Sequence, residues 1–433
     1  MDQFVIEGGQ VLSGTITPSG NKNAALPILA ACLLTAEPVV LHNIPRIRDM
    51  EAMRQLIMNL GATVEELDAA CNGHSWRIST PQISKTALDP DLCRRIRASI
   101  LLAGPMLARH GEIELPPPGG DIIGRRRLDT HLLALEALGA QVQYDRTQFF
   151  MQAAPRLKGA NILLDECSVT GTENTLMASA LARGTTVIRN AASEPHVQEL
   201  CHFLNALGAR IDGIGSNMLR VQGVDELHGG EYTIGADYLE VVSFVGAAAV
   251  TGGEICIHNA GRQHLGMIAQ VFGRLGVGWL PEGDDDIRVP AGQPLEVVPD
   301  LGGAIPEIKT NVWPAFPTDL TSIAITVASQ AAGTVLFHDW MFRGRMYFTD
   351  KLESMGARII LCDPHRCLVQ GPNKLLAEQL ESPDIRAGMS LLLAALCAEG
   401  KSTIRNIGQI ERGYERIEEK LRSLGARIER VST

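Results

Sequence analysis

One pattern recurs six times along these 433 residues. A stretch with apolar residues three and four apart runs into Leu-Gly-Ala or a close variant, and apolar residues then tend to alternate. The copies read MRQLIMNLGATVEE, LLALEALGAQVQY, CHFLNALGARIDG, IAQVFGRLGVGWL, KLESMGARIIL and KLRSLGARIER. The first spacing gathers apolar groups on one helix face, the glycine supplies a left-handed residue that stops a helix, and alternation gives a strand with one buried face. The glycines Gly61, Gly139, Gly208, Gly276, Gly356 and Gly425 are 78, 69, 68, 80 and 69 residues apart. A 78-then-69 spacing nearly repeated as 80-then-69 predicts a duplicated half built from three units. A solenoid is the competing arrangement, but units of this length exceed its usual repeat of about 20–50 residues.

A second element recurs beside the first: an apolar helix, a short glycine turn and a strand, as in LMASALARGTTVIRNA, FVGAAAVTGGEICIHNA and LLLAALCAEGKSTIRNI. The helices read at 174–183, 242–251 and 388–399 are apolar almost all round, and such helices belong in an interior. The expected fold is therefore α/β in two lobes of three repeated units each, with helices inside and sheets outside. A chain this long also favours two domains over one core. Apolar residues make up 45% and charged residues 20%, the balance of a folded protein rather than a disordered one. The start, MDQFVIEGG, has no basic segment before an apolar run, and the longest apolar stretch is broken by Pro27, Glu37 and Pro38. Neither a signal peptide nor a membrane span is expected. Nine cysteines without a CxxC pair read as reduced thiols, which points to the cytoplasm. A net charge of −10 argues against a nucleic-acid surface.

The common site signatures are missing: no P-loop, no Rossmann GxGxxG opening a helix, no HExxH, and no ligand-like spacing among the eleven histidines. What stands out is a set of basic residues beside glycines or at expected helix starts. They are Lys22 in TPSGNKNAALP, Arg97 in CRRIRASI, Arg126 in EIELPPPGGDIIGRRRLDTH (residues 112–131), Arg345 in FRGRMYF, Arg386 in PDIRAGMS and Arg412 in IERGYERIEEK. Singly, each has a plain reading as a solvated charge. Arg416 with Glu419 and Glu418 with Arg422 read as helix-face pairs. Asp121 after Gly119-Gly120 reads as a turn former, and Thr318 or Asp319 as the N-cap of the helix that follows. Together, however, the cations lie at junctions of different units, where two lobes would converge them on a cleft. Convergent guanidinium and ammonium groups suit a small substrate bearing phosphate and carboxylate. Asp121 and Asp319 could then divide acid and base roles.

The stretches SGNKNAALPILAA, RASILLAGPMLAR, PPGGDIIGRR, SVTGTEN, EPHV, PAFPTDL and ERGYERIEEKLRSLGARIERV carry a resemblance that runs from the first strand to the last helix. The chain resembles the UDP-N-acetylglucosamine 1-carboxyvinyltransferase family, enolpyruvyl transferases that open peptidoglycan precursor synthesis. The resemblance implies an inverted, inside-out α/β barrel. One lobe is expected from 1–21 plus 236–433 and the other from 22–235, the latter carrying a catalytic loop at about 112–131, with the active site in the cleft between them. It also implies transfer of enolpyruvyl from phosphoenolpyruvate to the 3-hydroxyl of UDP-N-acetylglucosamine with release of phosphate, in a cytoplasmic enzyme serving cell-wall biogenesis. No metal or redox cofactor, nucleic acid or membrane is implied, and the expected state is a monomer or weak homo-oligomer. By position, Lys22, Arg126 and Arg412 match residues that hold the phosphate, and Arg345 and Arg386 match those near the carboxylate of phosphoenolpyruvate. Asn23, Arg97, Arg126, Arg127, Leu128, Asp129, Thr130, Glu166, Cys167, Ser168, Val169, Asp319 and Met341 match the nucleotide-sugar site. Asp319 would take the proton from the attacking hydroxyl, and Asp121 would deliver one to the methylene carbon.

Asp121 is the main departure, since most of the family carries cysteine there. An aspartate among arginines should have a lowered pKa, contrary to what an acid needs, so substrate charge and loop closure are expected to raise it during turnover. The prolines and glycines of 112–131 read as the stiff and hinged parts of that lid. Fosfomycin, whose oxirane the family cysteine opens, should be resisted. Tyr238 in Ala236-Asp237-Tyr238-Leu239-Glu240, Gln409 and Glu166 depart on the acceptor side. They leave room for a paralogue acting on another nucleotide, or for a non-catalytic nucleotide-sugar sensor, against which the joint presence of Lys22, Asp319, Arg386 and Arg412 speaks.

Overall fold

All six repeat glycines take a left-handed backbone, with φ between +76° and +115°. The residue after each glycine sends its N–H to the carbonyl five positions back: Ala62 to Ile57, Ala140 to Leu135, Ala209 to Leu204, Val277 to Phe272, Ala357 to Leu352 and Ala426 to Leu421, all at 2.9–3.1 Å. That is the Schellman closure of a helix, and it explains why the sequence repeats this tripeptide. The residue before each glycine and the one four before it are fully buried, so these twelve residues also anchor the helix ends in the core.

The computed structural model describes residues 2–67, 74–120 and 127–432. They divide into two compact units, one from residues 2–19 and 236–432 and the other from 20–120 and 127–235. Each unit holds three sheets. Five sheets share one wiring: a parallel edge strand, then the strand after an interior helix, then two strands paired antiparallel. In the first unit the N-terminal strand Asp2–Glu7 pairs with Lys401–Arg405 and Arg427–Ser432, which places the start of the chain among its end. The sixth sheet, Glu112–Leu115 with Phe149–Gln152 and Gln141–Tyr144, has three strands among the described residues, and its parallel edge is a bridge from Ala87 to Glu114. Each sheet turns its apolar face to helices inside and its polar face outward, an inside-out α/β architecture in six separate sheets.

Three interior helices, Tyr238–Thr251, Thr321–Gln330 and Ile385–Cys397, pack on one another in the first unit. A Cβ on Gly246 would come within 2.9 Å of both Ile323 and Leu393, so the glycine lets the three axes approach. In the second unit the interior is made by Lys22–Ala31, Val169–Ala180, and the 3-10 turn Arg97–Leu102 continuing into Ala103–Arg109. The helix read as apolar over 174–183 starts earlier, at Val169, and its first turns bury Thr172, Glu173 and Asn174. Asn174 accepts the N–H of Gly104 at 2.8 Å and donates to the carbonyl of Ile100 and to His131, so polar groups join the two helices where apolar packing was expected. None of the helices among the described residues is long and apolar enough to cross a membrane.

Candidate active site

The residues singled out by the sequence stand mostly where interior helices begin. Asn21 caps Lys22–Ala31, accepting from Asn23 N–H at 2.9 Å, and so sets Lys22 and Asn23 in the first turn. Ser168 caps Val169–Ala180, and Asp384 caps the helix that carries Arg386. Helix starts present free N–H groups and a positive dipole end, a setting that favours anions. Thr318 and Asp319 depart from the expected capping role: they form a 3-10 turn, Thr318–Leu320, with side chains committed elsewhere.

In the unit of residues 20–235, Lys22 Nζ lies 2.7 Å from Asp49, both side chains less than a tenth exposed. Arg97 opens its 3-10 turn and donates to the carbonyl of Arg127 at 3.2 Å. Arg127 reaches Asp129 at 3.1 Å and Asp165 at 2.8 Å, while Thr130 donates its hydroxyl to the other oxygen of Asp165 at 2.7 Å. The Thr130 hydroxyl, and after it the Arg127 guanidinium, hold the Asp165 carboxyl below its ordinary pKa against the opposing effect of desolvation. Leu128 packs its side chain on the core, just before Asp129–Ala137. Glu166 is exposed, Cys167 and Val169 are half-buried, and burial together with Glu194 and Glu166 pushes the Cys167 thiol up to about 11. Behind them, burial and the nearby Arg97 push the pKa of His131 down to about 3. The imidazole is therefore neutral: Nδ1 accepts from Asn174, which leaves Nε2 to donate to Thr170 at 3.0 Å.

In the other unit Asp319 joins two cations. Its carboxylate is bound by Arg345 and lies 3.5 Å from Arg386, whose side chain is 8% exposed. Burial opposes the Arg386 charge, but Asp319, Tyr414 and Asp237 more than offset it and hold its pKa above the ordinary value. Arg386 also stacks over the Tyr414 ring at 5.7 Å and donates to its hydroxyl, which in turn meets Ser243 at 3.0 Å. Arg345 lies over Phe342 at 5.4 Å, and its Nε is buried without a hydrogen-bond partner among the described residues. Met341 is set by its N–H to Asp339, a fully buried carboxylate that also holds Thr318. Arg412 donates to Gln409 at 3.2 Å.

Asp121 and Arg126 lie outside the described residues. Of the expected lid, Gly119 and Gly120 are described, and they serve close approach: a Cβ on Gly119 would sit 1.9 Å from the carbonyl of Arg94, and one on Gly120 2.9 Å from Arg97. Gly119 N–H bonds to Cys93 at 3.0 Å. The reading of Glu418 with Arg422 is also corrected, since Glu418 pairs with Arg430 at 2.7 Å and Arg422 turns to the carbonyl of Ile428. Asp49, Asp165 and Tyr414 were not foreseen. Asp165 and Tyr414 sit within three residues of predicted positions, whereas Asp49 looks like an ordinary first-turn acid in RDMEAMRQL.

Comparison with known proteins bears on this arrangement. A family model described as EPSP synthase (3-phosphoshikimate 1-carboxyvinyltransferase) matches residues 6–421. Proteins named UDP-N-acetylglucosamine 1-carboxyvinyltransferase are 56% identical in Bradyrhizobium diazoefficiens, covering 99% of this chain and 98% of that one, and 52% identical in Treponema denticola, covering 99% of each. The chain belongs to the UDP-N-acetylglucosamine 1-carboxyvinyltransferase family. The same name belongs to a Borreliella burgdorferi protein 50% identical over the whole of both chains. Among solved structures, the enolpyruvyl transferase NikO from Streptomyces tendae superposes with a TM-score of 0.86 at 24% identity, covering 100% of this chain and 99% of that one. EPSP synthase from Acinetobacter baumannii follows at 0.78 and 18%, with full coverage of both. These two share the fold.

Proposed function

We propose that this enzyme transfers enolpyruvyl from phosphoenolpyruvate to the 3-hydroxyl of UDP-N-acetylglucosamine, releasing phosphate, in the cytoplasmic supply of peptidoglycan precursors. The observation that carries the reading is the Asp319–Arg345–Arg386 cluster, one carboxylate between a buried and a partly buried arginine, in a chain about half identical to proteins of that name over its full length.

The cluster suggests how base and cations take turns. Without substrate, Asp319 is the counter-ion of both arginines. The carboxylate of phosphoenolpyruvate, engaging Arg386 and the unpartnered Nε of Arg345, relieves Asp319 of that duty and frees it to accept the proton of the attacking hydroxyl. The hydroxyl oxygen bonds to C2 while a proton from Asp121 adds to the methylene carbon. This gives a tetrahedral ketal that still bears phosphate. Loss of a proton from the new methyl and cleavage of the C2–phosphate oxygen bond then restore the double bond. Lys22, Arg126 and Arg412 offset the phosphate charge through both steps, and fixed cations cost no reorganisation as geometry changes. Arg97, the run from Arg127 to Thr130 and the segment Glu166 to Val169 are assigned to the nucleotide sugar, Asp165 holding Arg127 and Thr130 in place for it.

The test is the product. Incubation with phosphoenolpyruvate and either UDP-N-acetylglucosamine or shikimate 3-phosphate, read by mass spectrometry, should show the enolpyruvyl ether of the nucleotide sugar alone. An adduct of shikimate 3-phosphate would overturn the acceptor assignment.

A further inference from the structure

Among the described residues, one group of side chains outside those assigned to the reaction has the composition of a metal centre. We propose that Cys256, His258 and Asp286 form a binding site for a divalent transition-metal cation of the zinc class, with water completing its coordination. Their donor atoms all lie within 4.8 Å of one another.

The sheet builds this cluster. Ile255 and Ile257 of the strand Glu254–Ile257 face the core, so Cys256, and His258 just past the strand end, share the outer face two residues apart. The antiparallel register Ile257 to Ile287 then brings Asp286 opposite His258 from the neighbouring strand. His258 Nδ1 meets one Asp286 oxygen at 2.5 Å, and the N–H of Asn259 fixes the other at 2.9 Å. Glu282, paired with Asp286 on the third strand, lies 3.7 Å from the Cys256 sulfur.

An imidazole–carboxylate pair on a sheet surface is ordinary by itself, but it has no use for a thiol beside it. A tetrahedral zinc with bonds of about 2.0–2.3 Å holds its donors about 3.3–3.7 Å apart. Opening the histidine–aspartate contact and drawing in the thiol needs only side-chain rotation, because the strand register already places the three together. A thiolate and a carboxylate balance the dication while the imidazole stays neutral, and the thiol proton leaves on loading. Arg288, opposite Cys256, has Glu254 and Glu282 at 3.9 Å each as its own counter-ions, and so does not compete with the metal for the thiolate and the Asp286 carboxylate. Sulfur and nitrogen donors favour zinc, cobalt or nickel over magnesium or calcium.

The experiment is a cobalt titration of the reduced full-length protein without oxygen. One equivalent should bind with a thiolate-to-cobalt charge-transfer absorption, and zinc should displace it. Cys256→Ser should lose that absorption while keeping transferase activity, and His258→Ala and Asp286→Ala should each weaken binding by roughly tenfold or more. Cys362, exposed on another sheet and followed by Asp363 and His365, is the internal control. Absence of the band, its persistence in Cys256→Ser, or its loss only in Cys362→Ser would each overturn the proposal.

Discussion

Replacing Lys22 by methionine removes the cation from a pair whose two side chains are 8% and 6% exposed and 2.7 Å apart. The Asp49 carboxylate would then stay buried without the ammonium, and breaking such a pair costs about 3–5 kcal/mol. For a unit of this size each kcal/mol moves the midpoint by about 2–4 °C, so a fall of about 6–20 °C is expected by calorimetry. Lys22→Arg keeps the charge and should lose much less. The double variant Lys22→Met with Asp49→Leu removes both charges and should recover most of the loss, a coupling of at least about 1.5 kcal/mol in the cycle. Activity separates the two residues: Lys22→Met should lower kcat/KM by about 100-fold or more, because it removes the cation proposed to offset the transferring phosphate. Asp49→Asn keeps the ammonium, although less firmly held, and should lose less activity than stability. A Lys22→Met midpoint within 2 °C of wild type, an estimate for less than about 1 kcal/mol, would refute the reasoning that this pair is buried and mutually dependent.

Asp165→Asn should raise KM for the nucleotide sugar while leaving KM for phosphoenolpyruvate unchanged, since it releases Arg127 and Thr130 but touches neither Lys22 nor Asp319; steady-state kinetics in both substrates reads the split. His131 has its pKa lowered to about 3, so the unfolded chain takes up a proton that the folded one refuses. Its stabilisation is present above about pH 6.5 and is lost as pH falls toward about 3, by up to about 1.4 kcal/mol per pH unit, and urea melts of His131→Gln should show a shallower acid limb. Glu173 is displaced the other way, its pKa raised by burial and by Glu194. Its contribution is present below the ordinary carboxyl range and is lost as pH rises, so the stability of Glu173→Gln relative to wild type should grow between pH 4 and pH 8 in the same melts.

The repeat was legible because a Schellman turn is a local demand: glycine must take the left-handed residue, and buried apolar groups must flank it, wherever a helix stops on a sheet. The apolar bodies of the interior helices could be read for the same reason. Their first turns could not. Thr172, Glu173 and Asn174 are polar and buried, and their acceptability depends on partners such as Gly104 and His131, which no local pattern reveals. The cations of the site were visible as charges beside glycines and helix starts, and Asp319 was visible before its helix, but Asp49 and Asp165, which hold Lys22 and Arg127, were not. Asp49 reads as a first-turn acid favoured by the helix dipole, and only the tertiary fold brings it to Lys22. Gly119 and Gly120 were read as hinges, whereas their missing Cβ atoms let the chain press on Arg94 and Arg97. Cys256 and His258 escaped a search for ligand spacings because strand alternation, and not a loop motif, sets them side by side. Asp286 joins them only through sheet register.

Phosphate release from phosphoenolpyruvate by the purified enzyme, measured with and without UDP-N-acetylglucosamine, tests the central claim most directly. The account predicts release only when that acceptor is present, and its loss in Asp319→Asn. Release without acceptor, or none with it, would contradict the transferase reading of these residues.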